Sequence, residues 1–203
     1  MTEEKEHIII EQGNNLFPIF LKLETLRLLI IGGGNVGLEK LTAIIENSPS
    51  TFIHLVSMTV QDKIYELAKN FSNITIEKRS YTLTDIDQAD IVIAAVNDIK
   101  TSEQIRHDTR QKGKLVNIAD KPELCDFYLS SVVKKGNLKI AISTNGKSPT
   151  IAKRIKEVLN ETIPDGIDEL LKNMQNIRNK MSNDFAEKVK KLNELTSSLT
   201  AKN

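Results

Sequence analysis

Short apolar runs alternate with amphipathic segments along the first 120 residues of this 203-residue chain. Uninterrupted apolar runs are typical of parallel strands that are covered on both faces. The segments between them repeat apolar positions at the helical period. Strands are predicted at 27–31, 51–58, 74–76, 90–95 and 114–118, and helices at 34–47, 60–71 and 101–112. This alternation predicts βαβ units and a Rossmann-type parallel sheet of the α/β class.

An isolated apolar stretch precedes this series, and the pattern changes after residue 120. Residues 16–21 predict an edge strand, because Pro18 has no N–H to donate to a sheet ladder. Residues 127–133 and 138–143 predict two short strands of a small β segment. These strands either form a hairpin across the turn between them or pair with another subunit. Two short strands cannot bury both of their faces in one small domain, so we expect a homodimer with this segment in or near the interface.

The chain is predicted to be helical from Pro149 onward. Ser148 suits the N-cap, and Pro149 suits the first helical position, where its missing N–H costs nothing. A break is expected at 163–166, followed by a long amphipathic stripe that predicts one helix or two. The sequence therefore predicts an α-helical C-terminal domain over residues 148–203.

Composition and charge narrow the classes of protein that fit. With 28 Lys and Arg against 27 Asp and Glu, the net charge is +1, which argues against a globally basic nucleic-acid-binding protein. The single cysteine excludes an intramolecular disulfide framework and a cysteine-rich metal cluster. No apolar run is long enough to span a membrane, and the polar N-terminus lacks the core of a signal peptide. We expect a cytoplasmic protein that binds neither nucleic acid nor membranes and holds no metal.

The sharpest motif is the glycine sequence that follows the first predicted Rossmann strand. Gly32, Gly34 and Gly37 fit G-x-G-x-x-G between a strand and a helix. In that context the first glycine permits a tight turn, the second lets a pyrophosphate approach the backbone, and the third lets helix and strand pack closely. The motif favours dinucleotide binding at the N-terminus of the helix. The alternative is a tight glycine turn that binds nothing.

The acidic residue expected at the end of the second strand, about 20 residues after the motif, is missing. Ser57, Met58 and Thr59 occupy that place, and the hydroxyls of Ser57 or Thr59 offer weaker contacts to the adenosine ribose. No Arg or Lys lies between residues 51 and 61 to bind a 2′-phosphate, so NAD is favoured over NADP.

A second candidate contact lies at the carboxyl end of the fourth strand, in residues 95–98. Ligands of open α/β sheets bind outside the carboxyl ends of the strands. Val96 and Asn97 are therefore candidates for contact with the cofactor. An ordinary strand-to-helix turn, with Asn97 or Asp98 as a cap, explains the same residues equally well.

Asp120 ends the last parallel strand and brings a carboxylate to the same edge of the sheet. A carboxylate is the right type of group for a general base. A turn-forming aspartate before Lys121 and Pro122 is the alternative.

A basic segment from Lys134 to Lys156 holds seven basic residues and no acidic one. It includes a loop of small residues, 143–149, that runs into the N-terminus of a helix. Together these features favour a site for a polyanion, and a solvated basic face is the alternative. The candidate contacts are Ser143, Thr144, Gly146, Lys147 and Arg154.

From about residue 16 to residue 164 the chain resembles the precorrin-2 dehydrogenase family of sirohaem synthesis. The resemblance rests on five stretches, of which the last is the most specific. They are Phe17-Pro-Ile-Phe20, Gly32-Gly-Gly-Asn-Val-Gly37, Asn117-Ile-Ala-Asp120, Cys125-Asp-Phe127 and Ile140-Ala-Ile-Ser-Thr-Asn-Gly-Lys-Ser-Pro149. One departure is Ser130-Ser131, where members often have Pro-Ala.

The resemblance implies an activity as well as a fold. Members oxidise precorrin-2 to sirohydrochlorin with NAD⁺, and some then insert Fe²⁺. The implied parts are an NAD-binding Rossmann domain over residues 1–120, a dimerisation and substrate segment over residues 121–147, and the helical domain. A regulatory Rossmann module that senses NAD without catalysis is the alternative function.

The resemblance also implies roles for particular residues. The essential aspartate of the family corresponds to Asp120, and its active-site serine corresponds to Thr144. Contacts to NAD carry over to Asn35 and Val36, and to Met58 and Thr59. The basic segment would bind the carboxylates that rim precorrin-2.

Overall fold

The computed structural model describes residues 13–180 and 185–196, which form two compact units divided between Leu129 and Ser130. The polar N-terminus, residues 1–12, lies outside the described residues. The division into parts at 120 and 147 concerns function and stays a prediction.

The first unit is a five-stranded parallel sheet with helices on both faces. Its strands lie in the order β3-β2-β1-β4-β5. They are β1 (Arg27–Gly33), β2 (Phe52–Val60), β3 (Ile74–Glu77), β4 (Ile91–Ala94) and β5 (Leu115–Ile118). The helices are α1 (Asn35–Asn47), α2 (Asp62–Ala68), α3 (Leu83–Gln88) and α4 (Ile99–Gln111). The predicted Rossmann-type α/β fold is confirmed.

Alternation along the central strand builds two hydrophobic layers. Leu28 and Ile30 of β1 face one layer, which α1 and α2 cover, and Leu29 and Ile31 face the other, which α3 and α4 cover. All four side chains are buried. A strand covered on both faces needs apolar residues at every position, and the uninterrupted apolar run in the sequence reflects that need.

Two features of this unit differ from the sequence prediction. Residues 16–21 form no strand, and Phe17 is 85% exposed, so the predicted edge strand is wrong. Helix α3 was not predicted, because six residues give little helical period to recognise. It is set by a capping box in which Thr82 and Asp85 each bond to the other's backbone N–H.

The second unit is a β-hairpin followed by helices. Strands β6 (Ser131–Lys135) and β7 (Leu138–Ile142) pair antiparallel, so of the two predicted arrangements the hairpin is confirmed. The helices are α5 (Pro149–Thr162), α6 (Ile167–Lys180) and α7 (Phe185–Thr196). The predicted cap is present, because the Ser148 hydroxyl accepts a bond from the N–H of Ile151.

The first predicted hairpin strand begins later than expected. Residues 127–130 stay outside β6, because the core of the first unit takes up Phe127 and Leu129. The carbonyl of Phe127 accepts a 2.8 Å hydrogen bond from Asn117 Nδ2, which fixes this stretch against β5.

Candidate functional site

The glycine loop joins β1 to α1, and packing requires three of its glycines, Gly32, Gly33 and Gly37. Gly32 has a backbone φ of +118°, which residues other than glycine rarely adopt. A Cβ atom at Gly32 would collide with the carbonyl oxygen of Ala95, and one at Gly37 would collide with the carbonyl oxygen of Gly32. The start of α1 is thereby held tightly against the end of β1.

Gly34 differs, because open space surrounds the position of its missing side chain. No atom lies within 4 Å of a Cβ built there, and the residue is exposed. Gly34 is the N-cap of α1, followed by the exposed Asn35 and the half-buried Val36. The first N–H groups of a helix have no partner within it and favour an anion. We call the backbone of residues 34–36 the cradle. It fits a pyrophosphate that lies against bare backbone.

Strand β2 bulges beside this cradle. Ile31 pairs with Val56 and Gly33 pairs with Val60, so three residues of β2, 57–59, face the single residue Gly32 of β1. Within the bulge the Ser57 hydroxyl donates a 2.8 Å hydrogen bond to the carbonyl of Thr59, and Met58 is 69% exposed. The Ser57 donor is therefore engaged inside the protein. Its predicted contact with a ribose, like those of Met58 and Thr59, stays a prediction.

Residues 95–98 follow β4 at the same end of the sheet. Val96 is half-buried and Asn97 is exposed, so both remain candidate contacts. Asp98 caps α4, since its carboxylate accepts 2.7 Å bonds from the hydroxyl and the N–H of Thr101. The bond from the Thr101 hydroxyl has the largest effect and the bond from its N–H the next, and both lower the pKa of Asp98 below its usual value. Of the two predicted cap residues, Asp98 is the cap.

Asp120 lies exposed at the end of β5, in the left-handed conformation with a φ of +59°. An aspartate tolerates this conformation better than most residues, though at a cost. The N–H of Ala119 donates a 2.8 Å bond to the carbonyl of Ala94, which continues the pairing with β4 up to the aspartate. Asp120 therefore projects from the carboxyl end of the sheet, the end that also carries the glycine loop.

The segment after Asp120 closes the outer edge of β5 with side chains. Asp126 accepts a 3.1 Å bond from the N–H of Val116, and its own N–H donates a 2.8 Å bond to the Val116 carbonyl. The carboxylate also pairs with Arg106 of α4. Burial raises the pKa of Asp126, but the bonds from Arg106 and Val116 outweigh that effect and leave the pKa below its usual value. Asp126 thus serves β5 as a sixth strand would.

Cys125 forms hydrogen bonds in the same way with Ile118, the next residue of β5 whose backbone faces outward. Its Sγ accepts a bond from the N–H of Ile118 at 3.2 Å and donates to the Ile118 carbonyl at 3.1 Å. Burial raises the pKa of the thiol, which keeps the proton that this donation needs. In the sequence, Cys125 and Asp126 mark the family resemblance, but nothing there predicts these bonds to β5. The signal that could have assigned them is the need of an edge strand for partners.

The loop from Ser143 to Ser148 is organised by its own hydroxyls. Thr144 Oγ1 donates to the Ser148 carbonyl at 3.1 Å and accepts from the Ser148 N–H at 3.2 Å. Ser143 Oγ accepts a 3.2 Å bond from the N–H of Asn145. Asn145 and Gly146 both have positive φ, so the chain turns sharply before α5. Hydrogen bonds within the loop thus hold its backbone in this turn.

The basic segment is partly balanced by acids that lie just beyond it in the sequence. Arg154 pairs with Glu157 at 2.7 Å, and Lys135 pairs with Asp165. Lys147 and Lys153 are exposed, and the structure gives neither an ion pair with any residue it describes. The excess of positive charge is therefore smaller than the sequence count suggests, and it is centred on the start of α5.

Residues 13–180 and 185–196 contain neither a cluster of metal ligands nor a helix that could span a membrane. In this part of the chain, no three His, Cys, Asp or Glu side chains come together as ligands for a metal ion. No helix within the same residues has the length and apolar character that crossing a membrane requires.

Two family models match the chain in succession. The model described as putative NAD(P)-binding matches residues 19–131, and the one described as sirohaem biosynthesis protein central matches residues 135–161. The first match covers β1 to β5 and the Cys125–Asp126 closure. The second covers β7, the Ser143–Ser148 loop and most of α5.

Curated relatives match the same part of the chain. A siroheme synthase of Psychrobacter cryohalolentis is 33% identical over 158 residues, which is 78% of this chain and 30% of the relative. A siroheme synthase of Nitrosococcus oceani is 31% identical over 153 residues, which is 75% of this chain and 32% of the relative. The chain thus spans about a third of the length of these relatives.

A solved structure shares the fold over most of the chain. The precorrin-2 dehydrogenase SirC superposes with a TM-score of 0.69, covering 89% of each chain at 21% identity. At this identity the superposition supports the fold alone.

Proposed function

The chain belongs to the family described as putative NAD(P)-binding, and on that premise we propose that it is an NAD⁺-dependent dehydrogenase that oxidises precorrin-2 to sirohydrochlorin. The match of residues 135–161 to the central region of sirohaem biosynthesis proteins supports the choice of substrate. So do the siroheme synthase relatives, whose similarity spans 78% and 75% of the chain.

One observation carries the proposal: the open Gly34 cradle and the exposed Asp120 lie at the same end of one sheet. Parallel strands place their carboxyl ends together, and ligands of such sheets bind there. A sensor needs the cradle, but it has no use for an exposed carboxylate held in a left-handed conformation beside it.

The residues of the cradle fit a nicotinamide dinucleotide. Gly34 would let the pyrophosphate approach bare backbone beside the helix N–H groups of Asn35 and Val36, while Gly32 and Gly37 keep the turn and the helix tightly packed. Val96 and Asn97, which follow β4 at the same end of the sheet, would supply further contacts to the cofactor. When bound, NAD⁺ supplies an acceptor for a hydride, and holding the two reactants together accounts for much of the rate.

Asp120 supplies the proton chemistry. Oxidation of precorrin-2 to sirohydrochlorin removes two hydrogens, one as a hydride and one as a proton. We assign the proton to the carboxylate of Asp120, which is exposed and has no hydrogen bond from the described residues that would occupy it. The hydrogen bonds of Cys125 and Asp126 to β5 hold the end of this strand in place and so position the carboxylate of Asp120.

The basic segment supplies affinity for the substrate. Precorrin-2 is rimmed by carboxylates, and exposed cations attract such a ligand. We assign its binding to the loop residues Ser143, Thr144 and Gly146, and to the charges of Lys147 and Arg154. Thr144 keeps the loop in shape through its two bonds to Ser148.

The proposal extends to the oligomeric state, the location and a second substrate. The protein is a homodimer with the β6–β7 hairpin in or near the interface, because a two-stranded sheet is marginal alone. Its location is the cytoplasm. Fe²⁺ is a second substrate, inserted into sirohydrochlorin as its two pyrrole protons leave one after the other, with Asp120 relaying each to solvent. Anaerobic addition of Fe²⁺ to enzymatically formed sirohydrochlorin tests this last statement through the spectrum of sirohaem.

A titration separates the enzyme from the NAD-sensing module. The enzyme should bind sirohydrochlorin, which absorbs visible light, with a saturable change in absorbance. A sensor would bind NAD⁺ and leave the absorbance of sirohydrochlorin unchanged. Binding of NAD⁺ without binding of the tetrapyrrole would therefore replace the dehydrogenase by the sensor.

A further inference from the structure

The place where dinucleotide-binding proteins hold the adenosine ribose lacks its usual acid in this chain. In such folds an Asp or Glu at the end of the second strand bonds to the ribose 2′-hydroxyl. Here the residues opposite Gly32 are Ser57, Met58 and Thr59 of the β2 bulge, and none of them is acidic. The Ser57 hydroxyl donates to the Thr59 carbonyl within the bulge. That hydroxyl hydrogen is therefore not free to bond to the ribose.

Gln61 stands where the bulge closes. Its N–H donates a 3.0 Å hydrogen bond to the carbonyl of Gly33, which fixes its backbone against the glycine loop. Its side-chain Nε2 donates a 2.7 Å hydrogen bond to Oδ1 of Asn35, the first residue of α1. The two amides therefore bridge the end of β2 and the start of α1, across the edge of the cradle.

The remaining groups of this pair suit a vicinal diol. A side-chain amide has two N–H donors and a carbonyl with two lone pairs. After the bond between them, Gln61 keeps its Oε1 and one N–H, and Asn35 keeps both hydrogens of Nδ2. Each hydroxyl of a ribose can donate to one such group and accept from another. Gln61 is half-buried and Asn35 is exposed, so the pair is reachable from the cradle.

We propose that the Gln61–Asn35 amide pair is the adenosine-ribose subsite of the cofactor site and replaces the missing acid. This inference rests on the proposed function, since it takes a nicotinamide dinucleotide as the ligand. It assigns Gln61 a binding role that the sequence analysis did not give it. It also gives a binding role to the side chain of Asn35, which follows the second glycine of the motif.

The test compares two ligands by isothermal titration calorimetry, with no turnover involved. One ligand is NAD⁺, and the other is its analogue with 2′-deoxyribose in the adenosine half. Wild type should bind NAD⁺ about tenfold more tightly than the analogue, as expected for a hydrogen bond to one hydroxyl. Gln61→Ala should bind NAD⁺ about tenfold more weakly than wild type and should no longer distinguish the two ligands.

Two variants sharpen the result. Gln61→Glu restores a carboxylate and should bind NAD⁺ at least as tightly as wild type while still distinguishing the analogue. Gln88→Ala removes an exposed glutamine from the end of α3, beside Arg27 at the opposite end of the sheet, and should bind both ligands as wild type does. The melting temperature of each variant shows that it is folded.

The outcomes separate this inference from the proposed function. If wild type binds NAD⁺ and Gln61→Ala still distinguishes the two ligands, the ribose lies elsewhere and only the subsite is overturned. The same conclusion follows if Gln61→Glu loses the distinction. If folded wild type does not bind NAD⁺ at all, the proposed function fails, and the subsite fails with it.

Discussion

The thiol of Cys125 and the backbone of Ile118 bond in both directions, with the sulfur 3.2 Å from the Ile118 nitrogen and 3.1 Å from its carbonyl oxygen. Ile118 is the last residue of β5, two positions before Asp120. The half-buried side chain of Cys125 thereby supplies hydrogen-bond partners to an edge strand two residues before the exposed carboxylate of Asp120.

Cys125→Ala should therefore destabilise the protein. The alanine leaves the buried N–H of Ile118 without its acceptor, which costs about 1–3 kcal/mol of the free energy of unfolding. Cys125→Ser keeps a donor and an acceptor and should lose less. Urea denaturation of the two variants measures the difference. Equal stability of Cys125→Ala and wild type would show that the thiol contacts contribute nothing.

How much the sequence could predict depends on how local each contact is. The strands of the sheet were predictable, because burial on both faces writes an apolar run such as 27–31 directly into the sequence. Residues 16–21 carry a similar run but form no strand, since pairing depends on a neighbour that the run does not specify.

The cofactor cradle was predictable in outline only. The glycine spacing predicted a loop, and the structure adds that Gly34 alone faces open space while Gly32 and Gly37 are packed against backbone. The bond between Gln61 and Asn35 joins residues 26 positions apart. No periodicity or motif marks such a pair, so it could not be predicted from the sequence.

Gly34 and Gly37 should respond differently to added side chains. Gly34 has an ordinary extended conformation with φ −85°, so Gly34→Val should fold and lose NAD⁺ binding because it fills the cradle. Gly37→Ala should instead lose stability by about 1–3 kcal/mol or more, because its Cβ meets the Gly32 carbonyl. Calorimetry and thermal denaturation measure the two effects. Unchanged affinity in folded Gly34→Val would remove the cofactor assignment.

Stability should fall in acid through Asp85. The Arg79 guanidinium, with 2.7 Å bonds to both carboxylate oxygens, holds the pKa of Asp85 at about 2. A pKa below the unfolded value of about 3.9 means that this contribution is complete above about pH 4 and is lost as the pH falls toward 2. Asp85→Asn should flatten that part of the profile. Thermal melts of both proteins from pH 2 to 5 test this, and parallel profiles would contradict it.

Charge at the start of α5 should govern tetrapyrrole binding. Lys147→Ala combined with Arg154→Ala should weaken sirohydrochlorin binding much more than NAD⁺ binding, and wild-type affinity should fall with added salt. The matched control, Lys69→Ala with Lys78→Ala, removes two exposed lysines from the first unit and should leave tetrapyrrole binding unchanged. Absorbance titrations at two salt concentrations measure both effects. If the two double variants bind alike, the basic segment is only a solvated face.

Asp120 should matter for the reaction and not for binding. Asp120→Asn keeps the shape of the side chain and removes its basicity, and a positioned acid–base group contributes about 10²–10⁴-fold to the rate. Asparagine also accepts the left-handed backbone that residue 120 adopts. The variant should therefore bind NAD⁺ and sirohydrochlorin as wild type does.

Anaerobic oxidation of precorrin-2 is the most direct measurement of the central claim. Wild type and Asp120→Asn are each mixed with precorrin-2 and NAD⁺, and the visible spectrum of sirohydrochlorin is followed together with NADH absorbance. The account predicts that wild type forms one NADH for each sirohydrochlorin and that Asp120→Asn is slower by about 10²–10⁴-fold. Wild type that binds both ligands and forms neither product would contradict the dehydrogenase, and an Asp120→Asn variant as fast as wild type would remove the aspartate from the mechanism.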